Sequence, residues 1–352
     1  MGIGGTGHLG GAVLDLLQRE HPDVPLKALI RSDDKASRLK SRYPKVAAVM
    51  GDLDSLTVLE EESRSADIVI NCAPDITHDS GIGAVLSGLE GGGPTASTGQ
   101  REQGQGGRKG FYIHTSGAAT FYDEPGGVRG ERVYDDMADM DEILGTAPTK
   151  THMATDDLVR SAHPAVNVAI RAALHRQGLR LGLPDRRGEN VSGWVHVLDL
   201  ARAFGLLVDD ALGALRQGGA AASAASAAAT AAAAAAPADP AGFPLWGPGL
   251  AFRDLQGAIV PVLYGHGVIP SQAVRSVTHT EAARTCLAGG TDYDPDAPLP
   301  PPDSWVVHLA TWFGVNMRIR PSRLLALGWK PERSTLEAWK EAFEIYLGGL
   351  KE

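Results

Sequence analysis

Through its first third the chain alternates two kinds of hydrophobic pattern. "PLKALIR" (25–31), "VAAVMGD" (46–52) and "ADIVINCA" (66–73) are short apolar runs bounded by turn residues, the pattern of strands buried on both faces. Between them apolar residues fall at helical spacing: Ala12, Val13, Leu14, Leu16 and Leu17 after a glycine-rich opening, then "DDKASRLKSRY" and "SLTVLEEESR". Buried strands alternating with helices predict a parallel sheet covered on both sides. The alternation resumes with a helix near 79–90, the strand "FYIHTSG" (111–117), a helix near 151–162 and the strand "AVNVAI" (165–170). "WVHVLDLARAFGLLVDDAL" (194–212) starts extended and turns helical.

Two stretches interrupt this order. Residues 91–110, "GGGPTASTGQREQGQGGRKG", are glycine-rich and polar with nothing to bury, which predicts a mobile loop. Residues 218–244 are dominated by alanine; alanine favours helix, but a run without an apolar stripe cannot dock, so a solvated, partly helical insert is expected. Beyond it, "DLQGAIVPVLYGHG", "PSRLLALGW" (321–329) and "STLEAWKEAFEIYL" (334–347) predict a smaller, mostly helical lobe. Ser334 and Glu337 have the spacing of a capping box for its last helix. The expected architecture is α/β: a doubly wound parallel Rossmann sheet over 1–172, to which 193–213 returns, and a C-terminal substrate lobe over 173–352 interrupted by the alanine-rich insert 218–241.

Composition narrows the partners. A chain of 352 residues can bury two ordinary cores. With 33 Lys plus Arg against 42 Asp plus Glu the net charge is −9, and without a basic stripe nucleic acid is not an expected partner. Cys72 and Cys286 are far apart with no C-x-x-C spacing, which points to a reducing compartment and to no metal site. No apolar run approaches the roughly 20 residues of a membrane helix, and the start of the chain has no charged region followed by an apolar core. A cytoplasmic protein with a small-molecule substrate and no membrane partner is expected. Met1-Gly2-x-x-x-Thr6 also fits a myristoylation pattern, but the same letters belong to the glycine loop.

That loop is "MGIGGTGHLGG", with Gly4, Gly7 and Gly10 three residues apart ahead of a helix. A dinucleotide's pyrophosphate needs close backbone approach and N–H groups aimed from a helix N-terminus, and glycines remove the side chains that would block it. Gly4, Thr6, Gly7, His8, Leu9 and Gly10 are therefore candidate cofactor residues. The strand ahead of them is reduced to Met1-Gly2-Ile3, short against the usual five or six residues, so the loop is expected to be loosely held. At the end of the second strand Arg31 and Ser32 stand where an acidic residue would grip the ribose of NAD. An Arg there suits a 2′-phosphate, which favours NADP over NAD, with Asp33 and Asp34 close by. Asp52, with Leu53 after it, ends the third strand near the adenine position, and Cys72 and Ala73 end the fourth where the nicotinamide ribose would pass.

"GGTGHLGG", "ALIRSDDKASRL", "VAAVMGDLDSLTVL", "ADIVINCA" and "FYIHTSG", in that order and spacing, resemble the extended and NmrA-like branch of the short-chain dehydrogenase/reductase family, the NAD-dependent epimerase/dehydratase group. "WVHVLDLARAF" and "PSRLLALGWKPERSTLEAW" are similar to its later segments. The resemblance implies a Tyr that transfers the proton, a Lys four residues later and a Ser or Thr that orients the substrate oxygen. Tyr134 is followed four residues on by Ala138, and neither Tyr112 nor Tyr122 has a Lys at that spacing. Aligning "IHTSGAATF" puts Gly117 at the Ser/Thr position, with Ser116 one residue early. The helix beginning "THMATDDLV" offers His152 and Asp156 in the i, i+4 places of Tyr and Lys, and a His can act near neutral pH. After the sixth strand Arg171 is kept, but the Pro and the Tyr-Gly turn of the family are not.

Two functions follow from the resemblance. One is an NADP-dependent oxidoreductase or epimerase acting on a carbonyl or carbinol carbon of a small metabolite, with Ser116, His152 and Asp156 as candidate catalytic residues. The other is a non-catalytic NADP-binding regulator or redox sensor of the NmrA kind, whose occupancy alters a surface for a protein partner. The short opening strand and the shortened segment after Ile170 would also follow from lost coding segments in a once-active member.

Overall fold

The structure, a computed structural model, describes residues 1–73, 78–91, 110–117, 128–144, 153–161, 166–173, 189–216, 246–274, 298, 301 and 314–349. Its first part winds β1 (Gly2–Ile3), α1 (His8–Glu20), β2 (Lys27–Ile30), α2 (Asp33–Arg42), β3 (Ala47–Met50), α3 (Leu56–Arg64), β4 (Ile68–Asn71), α4 (Asp79–Gly91) and β5 (Gly110–Gly117). Further on come β6 (Tyr134–Asp135), α5 (Met140–Leu144), α6 (Met153–Arg160) and β7 (Val166–Ala173). Six strands form one parallel sheet in the order β3-β2-β1-β4-β5-β7. The chain direction of travel reverses between β1 and β4, the switch point at which doubly wound sheets open a ligand crevice. This is the expected fold.

Alternation along the strands sorts the two faces. Ile3, Val69 and Tyr112 join Leu59 of α3, Ile82, Val85 and Leu89 of α4, and Val159 of α6 in one core. Ile70 and Ile113 point the other way, against Leu9, Val13 and Leu17 of α1. Leu39 of α2 packs there with Leu14, Ala28 and Ile30. Each such large aliphatic side chain contributes about 1.5–3 kcal/mol on full burial. The central β1 is two residues long, and its ladder to β4 is carried on by Ile70 N donating to Met1 O and Cys72 N to Ile3 O, both at 2.9 Å.

The sequence pattern overreaches at several boundaries. Gly91 closes α4 and Gly110 opens β5, so both ends of the predicted glycine-rich loop belong to elements; residues 92–109 and the alanine-rich insert lie outside the described residues. β7 runs on to Ala173 rather than stopping at Ile170, because Arg171, Ala172 and Ala173 stay in register with Thr115, Ser116 and Gly117.

The later elements are β8 (Val191–Val195), α7 (Val197–Arg216), β9 (Trp246–Ala251), α8 (Phe252–Gly265), β10 (Ile319–Arg320), α9 (Ser322–Ala326) and α10 (Thr335–Gly349). α7 lays Ala201, Phe204, Leu207 and Val208 on the α1 face of the sheet. A separate core gathers Trp194 and Leu250 with Leu255, Ile259 and Leu263 of α8 and Leu336 and Leu347 of α10. β8 pairs antiparallel with β9, and β6 pairs parallel with β10, so strands share this part of the chain with its helices. Of the capping box at α10, the structure shows Glu337 N donating to Ser334 Oγ at 3.2 Å. The two C-terminal motifs meet at the fully buried Asp199. Its carboxylate accepts from the amides of Glu332 (3.0 Å) and Arg333 (2.8 Å), and its carbonyl from Trp329 Nε1 (2.7 Å). Those bonds compensate the burial of a charge that would otherwise cost several kcal/mol.

Candidate active site at the crevice of the sheet

The β1–α1 turn sits at the switch point. Gly4 has φ +78°, in the left-handed region, and a Cβ there would lie 2.8 Å from Ala73 N. A Cβ on Gly10 would stand 2.2 Å from Gly4 O. Gly7 N donates to Gly4 O at 2.9 Å and Gly11 N to Gly7 O at 2.8 Å. The loop thus packs backbone against backbone between the exit of β4 and the start of α1. Thr6, Gly7 and His8 are exposed, Leu9 and Gly10 buried. The first turn of α1 carries N–H groups outside the helical ladder, and at Gly7 and Gly10 no side chain rises in front of them. This is a cradle that fits a pyrophosphate.

Around the cradle the other predicted residues fall at strand ends. Arg31 is exposed just past β2; Asp34 is paired with Arg38 one turn along α2 at 3.1 Å, and so is engaged away from it. Asp52 accepts from Ser55 Oγ at 2.8 Å and Asp54 N at 3.1 Å, and these bonds, the Ser55 hydroxyl foremost, hold its carboxyl below the usual range. Leu53 is buried beneath α4, its carbonyl 2.1 Å from where a Cβ on Gly81 would be. Cys72 turns its thiol inward, where burial pushes it up to about 12 against a hydrogen bond with Thr115, so at the β4 exit backbone rather than sulfur faces the loop. His196, between β8 and α7, is held below its ordinary value by burial, then by Arg333 and His8.

At the end of β5 the structure brings together residues that the sequence scattered. Tyr112, His114 and Ser116 alternate onto the face that carries α6. Ser116 Oγ donates to Asp156 Oδ2 at 2.7 Å, across 40 residues of chain. Asp156 Oδ1 is 3.9 Å from His114 Nε2, and His114 Nδ1 is 3.1 Å from the Tyr112 hydroxyl. Asn71 Nδ2 donates to that hydroxyl at 3.4 Å. On α6, Thr155 Oγ1 donates to Asp79 Oδ1 of α4 at 2.8 Å, which fixes the helix beside the site. It is therefore Ser116, not Gly117, whose side chain meets the α6 carboxylate, as the period of the strand requires. His152 lies outside the described residues. Tyr134 is in β6 with Arg132 over its ring at 4.8 Å. Motif reasoning did not single out His114 or Asn71 and weighed Tyr112 only as a Tyr without its Lys; the signal that could have joined Tyr112 to His114 is their place on alternate positions of a buried strand.

The chain matches no family model. It is 33% identical over 162 residues to oxidase ucsJ of Acremonium sp., a match that spans 45% of this chain and 43% of that protein's length. Among solved structures it resembles DesIV, a dTDP-glucose 4,6-dehydratase from Streptomyces venezuelae with NAD and TYD bound, at TM-score 0.58 and 16% identity over 99% of this chain and 97% of that one. It also resembles the Citrobacter sp. triphenylmethane reductase complexed with NADP(H), at TM-score 0.55 and 14% identity over 97% and 99% of the two chains. At such identities these likenesses establish the fold. It is a doubly wound α/β architecture. Among the described residues no helix is long and apolar enough to cross a membrane.

Proposed function

We propose that the protein is an oxidoreductase or epimerase that uses NADP and acts on a carbonyl or carbinol carbon of a small metabolite. The observation that carries this reading is the Ser116–Asp156 hydrogen bond of 2.7 Å at the C-terminal end of β5, on the same edge of the sheet as the glycine cradle. When bound, the nicotinamide dinucleotide accepts or returns the hydride of the carbinol carbon. The protein's own part is to orient the substrate oxygen with Ser116 and to hold its proton on Asp156, so that the pair stands in for the Tyr and Lys of the resembling family. Arg31, exposed and beside an Asp34 already engaged with Arg38, supports selection of a 2′-phosphate. DesIV and the triphenylmethane reductase, with NAD and NADP(H) bound, support a nicotinamide dinucleotide in general. The lobe built on α8 and α10 is read as the substrate side of the crevice.

The regulator reading is favoured by the absent Tyr-x-x-x-Lys pair, and one experiment separates the two. Calorimetric titration of the full chain with NADP(H) and NAD(H) should show NADP(H) bound tighter by at least about tenfold, about 1.4 kcal/mol, with Arg31→Ala erasing the difference. A panel of aldehydes, ketones and alcohols is then screened for turnover. Tight binding with no turnover of any of them assigns the protein to regulation.

A further inference from the structure

The packing of the sheet leaves a space that the dinucleotide reading does not use. Of the two residues of β1, Ile3 joins the core under α3 and α4, whereas Gly2, in register with Ala28 and Ile70, faces α1 with only a hydrogen. Beyond its chain neighbours, a Cβ on Gly2 would find only Lys27 O, at 3.7 Å, and one on Gly5 only the Cβ of Ala28, at 3.6 Å. The result is a cavity of about 290 Å³ between the sheet and its covering helices. Gly2, Ala28 and Ile70 lie on its floor, and Val13 and Leu17 of α1 and Val208 of α7 on its roof. Gly5 and Gly10, both buried, close the end beneath the glycine cradle, while Pro25 and Ser65 at the other end are exposed. The cavity therefore opens at the foot of the strands, away from the crevice.

Volume, length and charge define what this space accepts. An apolar cavity of about 150 Å³ stays dry and takes up benzene, and this one has about twice that volume. It follows β4 from Ile68 to Cys72, about 13 Å at the rise of a parallel strand. With carbon–carbon bonds of about 1.5 Å in a zigzag, an extended chain of about ten carbons has that length. At the open end Lys27 Nζ is bound to Glu62 Oε2 at 2.5 Å and His21 Nε2 stands 3.3 Å from Asp209 Oδ1; Asp67 adds a further carboxyl group. Both basic side chains that line the cavity thus already face an acid, which disfavours an anionic headgroup. We propose that the cavity is a binding site for an uncharged aliphatic molecule of about ten carbons, such as a primary alcohol, with its chain running under Gly5 and Gly10 and its hydroxyl in water at the mouth. Removing each methylene from water favours binding, and the walls gain the contacts that an empty space denies them.

The test is calorimetric titration of the full chain with straight-chain primary alcohols, without dinucleotide. From hexanol to decanol the affinity should rise about fourfold per methylene, and beyond dodecanol it should rise no further, because the chain has reached the closed end. Decanoate should bind at least about tenfold more weakly than decanol. Gly2→Val, which raises a branched side chain from the floor at a position suited to a strand, should weaken decanol binding at least about tenfold. Val13→Phe fills the same space from α1 and should do likewise, so one variant remains decisive if the other loses the far-UV circular dichroism of the parent chain, and the chain-length series needs neither. Affinity that keeps climbing through tetradecanol is adsorption on an apolar surface and overturns the site. Decanol binding that is unchanged in a folded Gly2→Val or Val13→Phe protein overturns it as well. Decanoate bound as tightly as decanol overturns the uncharged class of ligand. None of these readouts involves dinucleotide or turnover, so their outcome is independent of the oxidoreductase reading.

Discussion

At the β1–α1 turn the close contacts are between backbones: Gly4 lies against Cys72 and Ala73, Gly10 against Gly4. At the end of β5 the contacts are between side chains, Ser116 with Asp156 and His114 with Tyr112. The two regions face the same crevice but place opposite demands on sequence. A site made of peptide groups and empty space admits only glycine at its closest approaches, so its fingerprint persists as letters. A site made of side-chain polar groups needs partners of matching chemistry at matching positions, and different residues can meet that need. The glycine spacing at the turn is accordingly readable in the sequence, whereas the meeting of a hydroxyl and a carboxylate between β5 and α6 is seen only in the structure.

Three experiments press on that difference. The largest effect is expected from Gly10→Val, whose Cβ would meet Gly4 O at 2.2 Å. It should abolish NADP(H) binding in calorimetry and lower stability by about 1–3 kcal/mol in urea unfolding. Dinucleotide binding that survived this change would remove the loop from the cofactor site. Ser116→Ala is the mirror image: turnover should fall about 100-fold while the Kd for NADP(H) changes less than about twofold. A large loss of dinucleotide affinity in this variant would mean that the two regions are one binding unit. The smallest effect concerns Cys72, which lies between them. With its thiol pushed up to about 12 by burial, only about one part in ten thousand is thiolate at pH 8. In a Cys286→Ser background, disulfide reagents should therefore leave native Cys72 unmodified over hours and label it at once in urea. Rapid labelling of the native protein would place the sulfur in the crevice.

Much of the fold was legible because it is encoded locally. β2, β3 and β4 fall inside the runs 25–31, 46–52 and 66–73, and α1 follows the glycines as the apolar spacing requires. The errors sit at element ends, as at Gly91, Gly110 and Ala173, where backbone pairing rather than side-chain type sets the limit. Motif reasoning also treated "WVHVLDLARAF" and "PSRLLALGW" as separate similarities. The structure shows them to be one joint, held by Asp199 and Trp329.

The sequence by itself determined the alternation of buried strands and helices, the glycine cradle, and an arginine just past the second strand. Periodicity and backbone sterics act between near neighbours and leave a trace in the order of residues. Only the tertiary structure decided that Ser116 rather than Gly117 meets Asp156, and that His114, Tyr112 and Asn71 line up behind that carboxylate. The strand's alternation puts 112, 114 and 116 on one face, but what stands opposite them depends on how α6 seats Val159 in the core with Tyr112 and α4. That docking joins residues 40 positions apart, and nothing periodic in the chain records it.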